Sequence, residues 1–397
     1  MMTDVVMDLM LIKLGKAWHT IKRDGWVRGG KRVLAAALAL FRRVHPGDIL
    51  FITGGVGDSA RYRCHHVAEE LRKHGFSVSV TVQDNPLLAS YAGRFSIFVF
   101  HRVLHTSNVA KLISRIKAQR KEIIFETDDL VYDPTFLKHM DYFNTMNAFE
   151  RKLYENGVGG EILADPYVKV ATTSTGYLAD RLRERDKRVF IVRNKVSHAD
   201  RALAEDALAS VVGTLDSSVV RIGYLSGTLS HNKDFSTITE ALVALMERYP
   251  EIRLVLAGPL DIDRALAVFS GRIERVPFAP REEYFNIVAG LDINLAPLEI
   301  GNPFCESKSE LKWFEAGLVA VPTVATATRT FREAITEGVD GFTAVDTGEW
   351  IAALSRLIDD PVLRRNVGEA ARRTVLEKYV TDADDNEEYY GFLKSKL

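Results

Sequence analysis

Short apolar runs alternate with longer helical patterns along nearly the whole of this 397-residue chain. That alternation constrains the fold more than any other feature. From residue 48 the chain reads strand (48–53), glycine turn (Gly54-Gly55-Val56-Gly57), helix (59–74, stopped by Gly75) and strand (76–82). This is a βαβ unit, whose parallel strands need a right-handed crossover. Further strands are expected at 95–100, 122–126, 168–171 and 188–192, with helices at 107–120 and 174–184. The pattern restarts near 217: strands at 219–225, 253–257, 272–276, 293–296 and 321–325 alternate with helices at 235–249 and 281–290. Helices are also expected at 361–379 and 384–397, with Pro361 suited to a first helical position. The reading is α/β: two Rossmann-like doubly wound domains, at 46–200 and 217–378, after a basic helical arm at 1–45. The alanine-rich, acidic stretch 197–217 reads as the link, and 379–397 as a C-terminal helix able to pack back on the first domain.

Charge is balanced, at net −1 with 26% charged and 47% hydrophobic residues, which argues against nucleic acid as the main partner. The two cysteines, Cys64 and Cys305, imply no disulfide framework and fit a reducing cytoplasm. The longest apolar run, 33–41, is too short to span a bilayer, and Asp4 and Asp8 stand where a signal peptide would be basic. Between Lys13 and Arg43, nine lysines and arginines face the single Asp24, interleaved with Trp18, Trp26, Leu34, Leu38 and Phe41. This composition suits a helix on an anionic membrane surface. A basic helix packed on the acidic body, or a loose arm, fits it as well.

The stretch 306–317, Glu-Ser-Lys-Ser-Glu-Leu-Lys-Trp-Phe-Glu-Ala-Gly, reads as the opening of a helix. Ser307 and Glu310 have capping-box spacing. That predicts Lys308 in the first turn, with Lys312 and Glu315 on the same face. Lysines oppose the helix dipole there, unless an anion sits on the free amides of the helix end, with Ser309 and Glu306 at its mouth. Glu315 would accept hydrogen bonds from a diol such as a ribose. A solvated helix with i,i+4 charge pairs explains the same pattern. The loop 226–234 is expected at the same sheet edge, bringing Gly227, Thr228, His231 and Lys233 toward Lys308. In the first domain, Gly55 and its neighbours do not match a dinucleotide fingerprint but allow close backbone approach. Arg61 and Arg63 face either a ligand or solvent. His101-Arg102 and Glu126-Thr127-Asp128-Asp129 follow strands; Asp128 would orient an acceptor hydroxyl, act as its base, or cap backbone amides.

These residues resemble a known family. The two Rossmann-type halves, the loop with Lys233 and the helix with Glu315-Ala316 before Val321-Pro322-Thr323-Val324 resemble retaining glycosyltransferases of the GT-B fold, fourth sequence family. The resemblance spans about 46–380. It is nearest to a bacterial branch with K-S-x-x-K-W-x-E, here Lys308 to Glu315, and an S-G-T…H loop, here Ser226 to His231. That branch is associated with cell-surface polysaccharides. The resemblance implies a nucleoside-diphosphate sugar as donor, a glycan or lipid-linked acceptor, no cofactor and no metal. Glu315 would hold the ribose and Lys233 the diphosphate, and Lys233, Lys308, Asp128 and His231 would carry the chemistry. Two positions depart from the family pattern: its first glutamate falls on Ser307, with Glu306 one residue out of register, and its arginine falls on Thr228. Glu126-x-Asp128 superficially resembles the D-x-D metal clamp of the other large class of sugar transferases. A non-catalytic nucleotide-sugar-binding assembly subunit and a sugar-nucleotide epimerase are the alternatives on the same architecture.

Overall fold

The computed structural model describes residues 44–140, 151, 154, 157–211, 218–227 and 232–397, with isolated positions between 15 and 40 and at 143 and 146. Most of the basic arm, and with it the expected membrane helix, lies outside the described residues. Two six-stranded sheets carry the chain, and every strand pairing in them is parallel.

The first sheet holds β1 (Ile49–Thr53), β2 (Val78–Val82), β3 (Ile97–His101), β4 (Glu122–Thr127), β5 (Val170–Thr173) and β6 (Arg188–Ile191), in the order β2-β1-β3-β4-β5-β6. The order reverses direction between β1 and β3, which opens a crevice beyond their carboxyl ends. The runs Ile49–Ile52 and Ile97–Phe100 are almost wholly buried, as parallel strands covered on both faces require. The helix after β1 begins at Asp58–Ala60, passes through a π-helical segment Arg61–His66 and continues as Val67–Lys73. The C-terminal helix Glu387–Lys394 lays Tyr389, Tyr390, Phe392 and Leu393 into the same core as Ile49, Phe51, Ile97 and Val99.

The second sheet holds β7 (Val220–Leu225), β8 (Ile252–Ala257), β9 (Ile273–Val276), β10 (Ile293–Ala296), β11 (Thr323–Thr326) and β12 (Phe342–Ala344), in the order β12-β11-β10-β7-β8-β9. Its reversal lies between β7 and β10. The core packs Ile222, Tyr224, Leu254, Leu256, Ile293 and Leu295 against helices Thr239–Arg248 and Thr347–Asp359. Contacts divide the chain into Met1–Arg193 with Asn386–Leu397, and Asn194–Asp385. The crossing at 193/194 precedes the boundary expected at 200. The stretch read as a link holds a 14-residue helix, His198–Val211, which buries Asp200, Ala204 and Ala207.

Gly258, just after β8, has φ +83°, and a Cβ on it would lie 2.0 Å from the Ser226 carbonyl oxygen. It therefore sets how the loop after β7 leaves the sheet. Gly258→Ala is expected to lower unfolding free energy by about 1–3 kcal/mol from the backbone conformation alone, with the clash adding to it. Urea denaturation measures this; an unchanged midpoint would contradict it.

Candidate active site

In the second unit Lys312 meets the carboxyl end of β7 and Asn294 of β10, and the helix bearing Lys233 packs on the one that precedes Lys308. The helix expected to start at Ser307 does not start there. Asn302 caps a separate short helix, Pro303–Glu306, by accepting from the Phe304 amide, with Pro303 at its first position. Ser307 is fully buried, and its hydroxyl donates to the Phe304 carbonyl at 2.7 Å. The next helix is Leu311–Leu318, with Glu310 at its N-cap and no side-chain cap. The capping box is therefore not formed. Lys308 lies in the joint between the two helices, and Lys312 occupies the first turn of the second. The Asn302-Pro303 pair is the sequence signal for the earlier start.

Lys312 donates its ammonium to the Leu225 carbonyl at the end of β7 and lies 4.8 Å from the Tyr224 ring centroid. Burial lowers its pKa against the opposing pull of Glu315 and Asp234. Asn294 ties β10 to the same helix by donating to the Lys312 carbonyl at 3.1 Å and to Thr323 at 3.0 Å. Lys233 sits on the short helix Asn232–Ser236. Its neighbour Asp234 accepts from the Cys305 thiol at 3.1 Å, so this helix rests on the Pro303–Glu306 helix, three residues before Lys308. Burial, with Asp234 next in effect, pushes the Cys305 thiol up and keeps it protonated. Glu306 turns back onto its own loop, accepting from the Gly301 amide at 3.3 Å. The Ser309 hydroxyl accepts from Asn194 at 2.8 Å. Gly227 is described and exposed, whereas Thr228 and His231 lie outside the described residues.

Glu315 is 3% exposed. Its Oε1 accepts from Arg281 Nη1 at 2.5 Å and its Oε2 from the Tyr284 hydroxyl at 2.8 Å. The other edge of the Arg281 guanidinium is bidentate to Asp200, with both distances 2.9 Å. Sequence reasoning did not single out Arg281, Tyr284 or Asp200. No spacing rule links positions 200, 281 and 315; the packing of helix His198–Val211 on helix Arg281–Ala289 brings the first two together.

In the first unit the carboxyl ends of β1, β3 and β4 form a second cluster. His101 Nδ1 lies 3.0 Å from the Thr53 hydroxyl, and its Nε2 3.0 Å from the Ser59 hydroxyl. Ser59 donates to Asp128 Oδ2 at 2.6 Å, and Arg102 reaches Asp128 Oδ1 at 3.4 Å. Burial would raise the Asp128 pKa, but Arg102, His101 and Ser59 outweigh it and hold the carboxyl well below the usual carboxylate range. A carboxylate so stabilised is a weak proton acceptor, which favours orienting a hydroxyl over general-base work. A pocket of about 200 Å³ opens here, lined among others by Gly54, Gly55, Ser59, His101, Arg102 and Tyr154. Gly54 is required by its neighbour, since a Cβ would meet the Arg102 carbonyl oxygen at 2.0 Å. Arg102 itself has φ +49°, an unusual conformation for a non-glycine residue beside a pocket.

Two expectations change in this unit. Arg61 forms a surface pair with Asp58 at 3.2 Å, so it lies on the solvated face. Arg63 is fully buried and forks onto Glu126 at 2.8 and 3.2 Å, while donating to the Val192 carbonyl at 2.6 Å. Thr172 also donates to Glu126. Glu126 is therefore turned into the core and does not share a ligand with Asp128, and the D-x-D likeness has no structural counterpart. Among the described residues, no group of three or more His, Cys, Asp or Glu side chains is placed to hold a metal. No helix among them is long and apolar enough to cross a membrane.

Residues 220–360 match the model of the family described as Glycosyl transferases group 1. No curated protein sequence matches the chain. Among solved structures, Anabaena HepE in complex with UDP and glucose is similar over 88% of this chain and 100% of its own, at TM-score 0.60 and 13% identity. A glycosyltransferase from Rickettsia africae ESF-5 is similar over 89% and 100%, at TM-score 0.61 and 14% identity. Sucrose-phosphate synthase from Thermosynechococcus elongatus is similar over 88% and 98%, at TM-score 0.56 and 14% identity. The chain thus has the fold of these proteins, two Rossmann-like domains of the GT-B type, and its second unit carries the match to glycosyl transferases group 1.

Proposed function

We propose that this chain is a retaining, metal-independent glycosyltransferase. It would move a sugar from a nucleoside-diphosphate sugar to a glycan or lipid-linked acceptor in cell-surface polysaccharide synthesis. The observation that carries this reading is the grouping at the β7–β10 edge. A buried, oriented carboxylate (Glu315), the short helix bearing Lys233 and the helix Pro303–Glu306 packed on it just before Lys308 lie within the segment matching the glycosyl transferase group 1 model. The similar Anabaena protein is seen with UDP, UDP-glucose, and UDP and glucose, which supports the choice of donor class.

In this reading Glu315 accepts from the ribose hydroxyls and the two lysines face the diphosphate. Negative charge grows on the diphosphate as its bond to the anomeric carbon breaks. Ammonium groups and backbone amides already in place stabilise it without reorganisation, each typically by a few kcal/mol of barrier. Asp128 orients the acceptor hydroxyl. The test is nucleotide release from a panel of nucleotide sugars with candidate acceptors, followed by NMR of the product. Transfer with the donor's anomeric configuration kept is expected, and an inverted product rejects the retaining mechanism.

A non-catalytic nucleotide-sugar binder is the second reading. It is favoured by Ser307, which stands where the family pattern has a glutamate and is buried with its hydroxyl turned to the Phe304 carbonyl. Donor binding without turnover under any acceptor would select it.

A lipid-carried acceptor also gives the basic arm a role, on the cytoplasmic face of the membrane. Removing residues 1–45 is expected to reduce co-sedimentation with anionic vesicles, and added salt to weaken binding of the full chain. Equal sedimentation of the two forms rejects membrane docking through the arm.

A further inference from the structure

We infer that the outer edge of the second sheet carries an oxyanion-binding site, for a ligand bearing a phosphate or a carboxylate, apart from the β7–β10 edge. The inference does not rest on the nucleotide-sugar reading above.

The site is a cavity of about 500 Å³ in the second unit, lined among others by Arg332, Ile335, Glu337, Phe342, Glu349 and Arg356. It lies against β12, which ends its sheet, with β11 between it and β10. A strand at a sheet edge leaves a row of backbone groups without a partner strand. Here two carboxylates take two of those amides. Glu337, just before β12, accepts from the Thr343 amide at 2.9 Å and from its hydroxyl at 3.0 Å. Glu349, in the first turn of the helix Thr347–Asp359, accepts from the Val345 amide at 2.7 Å. Both carboxylates of the cavity therefore have a structural task, and the amide donors offset part of their charge.

The two arginines have no such task. Among the described residues, neither the Arg332 nor the Arg356 guanidinium is in a hydrogen bond or an ion pair. Arg329, one turn before Arg332 on the helix Arg329–Ala334, is by contrast paired with Glu333 at 2.7 Å. Arg356 lies over the buried Phe342 ring, 4.8 Å from its centroid. Attraction to the ring face holds the cation against the strand without using its N–H donors. Each guanidinium presents a planar fork that matches two oxygens of a phosphate or a carboxylate. Buried Ile335 and Phe342 give the cavity an apolar floor for the rest of an organic anion. The volume is that of a small-molecule site.

Arginines that only keep the surface soluble would give no saturable binding to lose, and this separates the two accounts. Pyrophosphate and malonate are titrated by calorimetry into the full chain, and into Arg332→Gln, Arg356→Gln and the double variant. Both arginines are exposed, so the variants are expected to melt with the wild type. Arg356→Lys keeps a cation over Phe342 and loses the fork, and it should weaken binding as well. Pyrophosphate also suits the proposed donor site, so Lys233→Ala is measured beside them. The wild type is expected to bind at least one probe saturably. Each glutamine variant should weaken that binding by roughly tenfold or more, the size of one hydrogen bond to a charged group. The double variant should lose it, and Lys233→Ala should keep it. Binding of pyrophosphate alone identifies a phosphate ligand, and binding of malonate alone a carboxylate ligand.

If neither probe binds the wild type, or if the double variant binds as tightly as the wild type, the inference fails and the proposed function is not affected. If binding is lost in Lys233→Ala and kept in the double variant, the probe reports the donor site, and the inference fails while that reading gains support.

Discussion

Arg63→Met is expected to lower the unfolding free energy by about 3–5 kcal/mol, the usual result of removing one partner of a buried ion pair. Arg63 is fully buried and Glu126 is 2% exposed, and the guanidinium forks onto the carboxylate at 2.8 and 3.2 Å. Without it Thr172 is the one side-chain donor left to Glu126 among the described residues. Burial already raises the Glu126 pKa, and Arg63 is the main group opposing that rise. Losing Arg63 raises it further. A carboxyl with a raised folded pKa takes up a proton more readily folded than unfolded, so stability is kept at low pH and lost as pH climbs through the folded value. The deficit of Arg63→Met should therefore be smaller near pH 5 than near pH 8. The double variant Arg63→Met, Glu126→Leu should recover much of the loss, because replacing both partners with apolar groups is often close to neutral. Urea titrations at the two pH values measure this, and a single variant within about 1 kcal/mol of wild type at pH 8 would contradict the reading.

Lys233→Ala is expected to lower kcat by roughly tenfold or more, equivalent to about 1.4 kcal/mol of barrier. The side chain stands next to Asp234, which is fixed by the Cys305 thiol, so its helix is held against the segment leading to Lys308. If Lys233 acts on the leaving diphosphate, its loss should reduce turnover more than donor affinity. Glu315→Ala should do the reverse and mainly weaken donor binding. This contrast makes each variant a control for the other. Unchanged turnover in Lys233→Ala would remove that residue from the mechanism.

Most strands were readable from the sequence because parallel strands buried on both faces are short apolar runs. β10 was expected at 293–296 and spans Ile293–Ala296, and β7 was expected at 219–225 and spans Val220–Leu225. β12 was not foreseen: Phe342–Ala344 is three residues long at the sheet edge, too short to show a period. The sequence does not show that 198–211 is helical, because its alanines and acidic residues give little amphipathic contrast; its buried positions face a partner helix that the sequence does not reveal.

The candidate site was legible only in its outline. Lys308, Lys312 and Glu315 were marked by charge in an unexpected place, and Lys312 and Glu315 do share a helix. The local geometry differed because Asn302-Pro303 starts a helix before Ser307, and Ser307 then packs inward. Arg63 could not be told from Arg61 by type or spacing. Position on the helix after β1 sends Arg63 to Glu126 and leaves Arg61 beside Asp58 on the surface. Arg281 carried no signal, since its partners lie 81 and 34 positions away.

Stability of the full chain against a panel of nucleotides and nucleotide sugars tests the central claim most directly. A ligand present at about 100 times its Kd adds about 2.7 kcal/mol to the folded state. One nucleoside-diphosphate sugar should raise the melting temperature clearly in the wild type and little in Glu315→Ala at the same concentration. If no nucleotide sugar shifts the transition, or if one shifts wild type and Glu315→Ala equally, the β7–β10 edge is not the donor site.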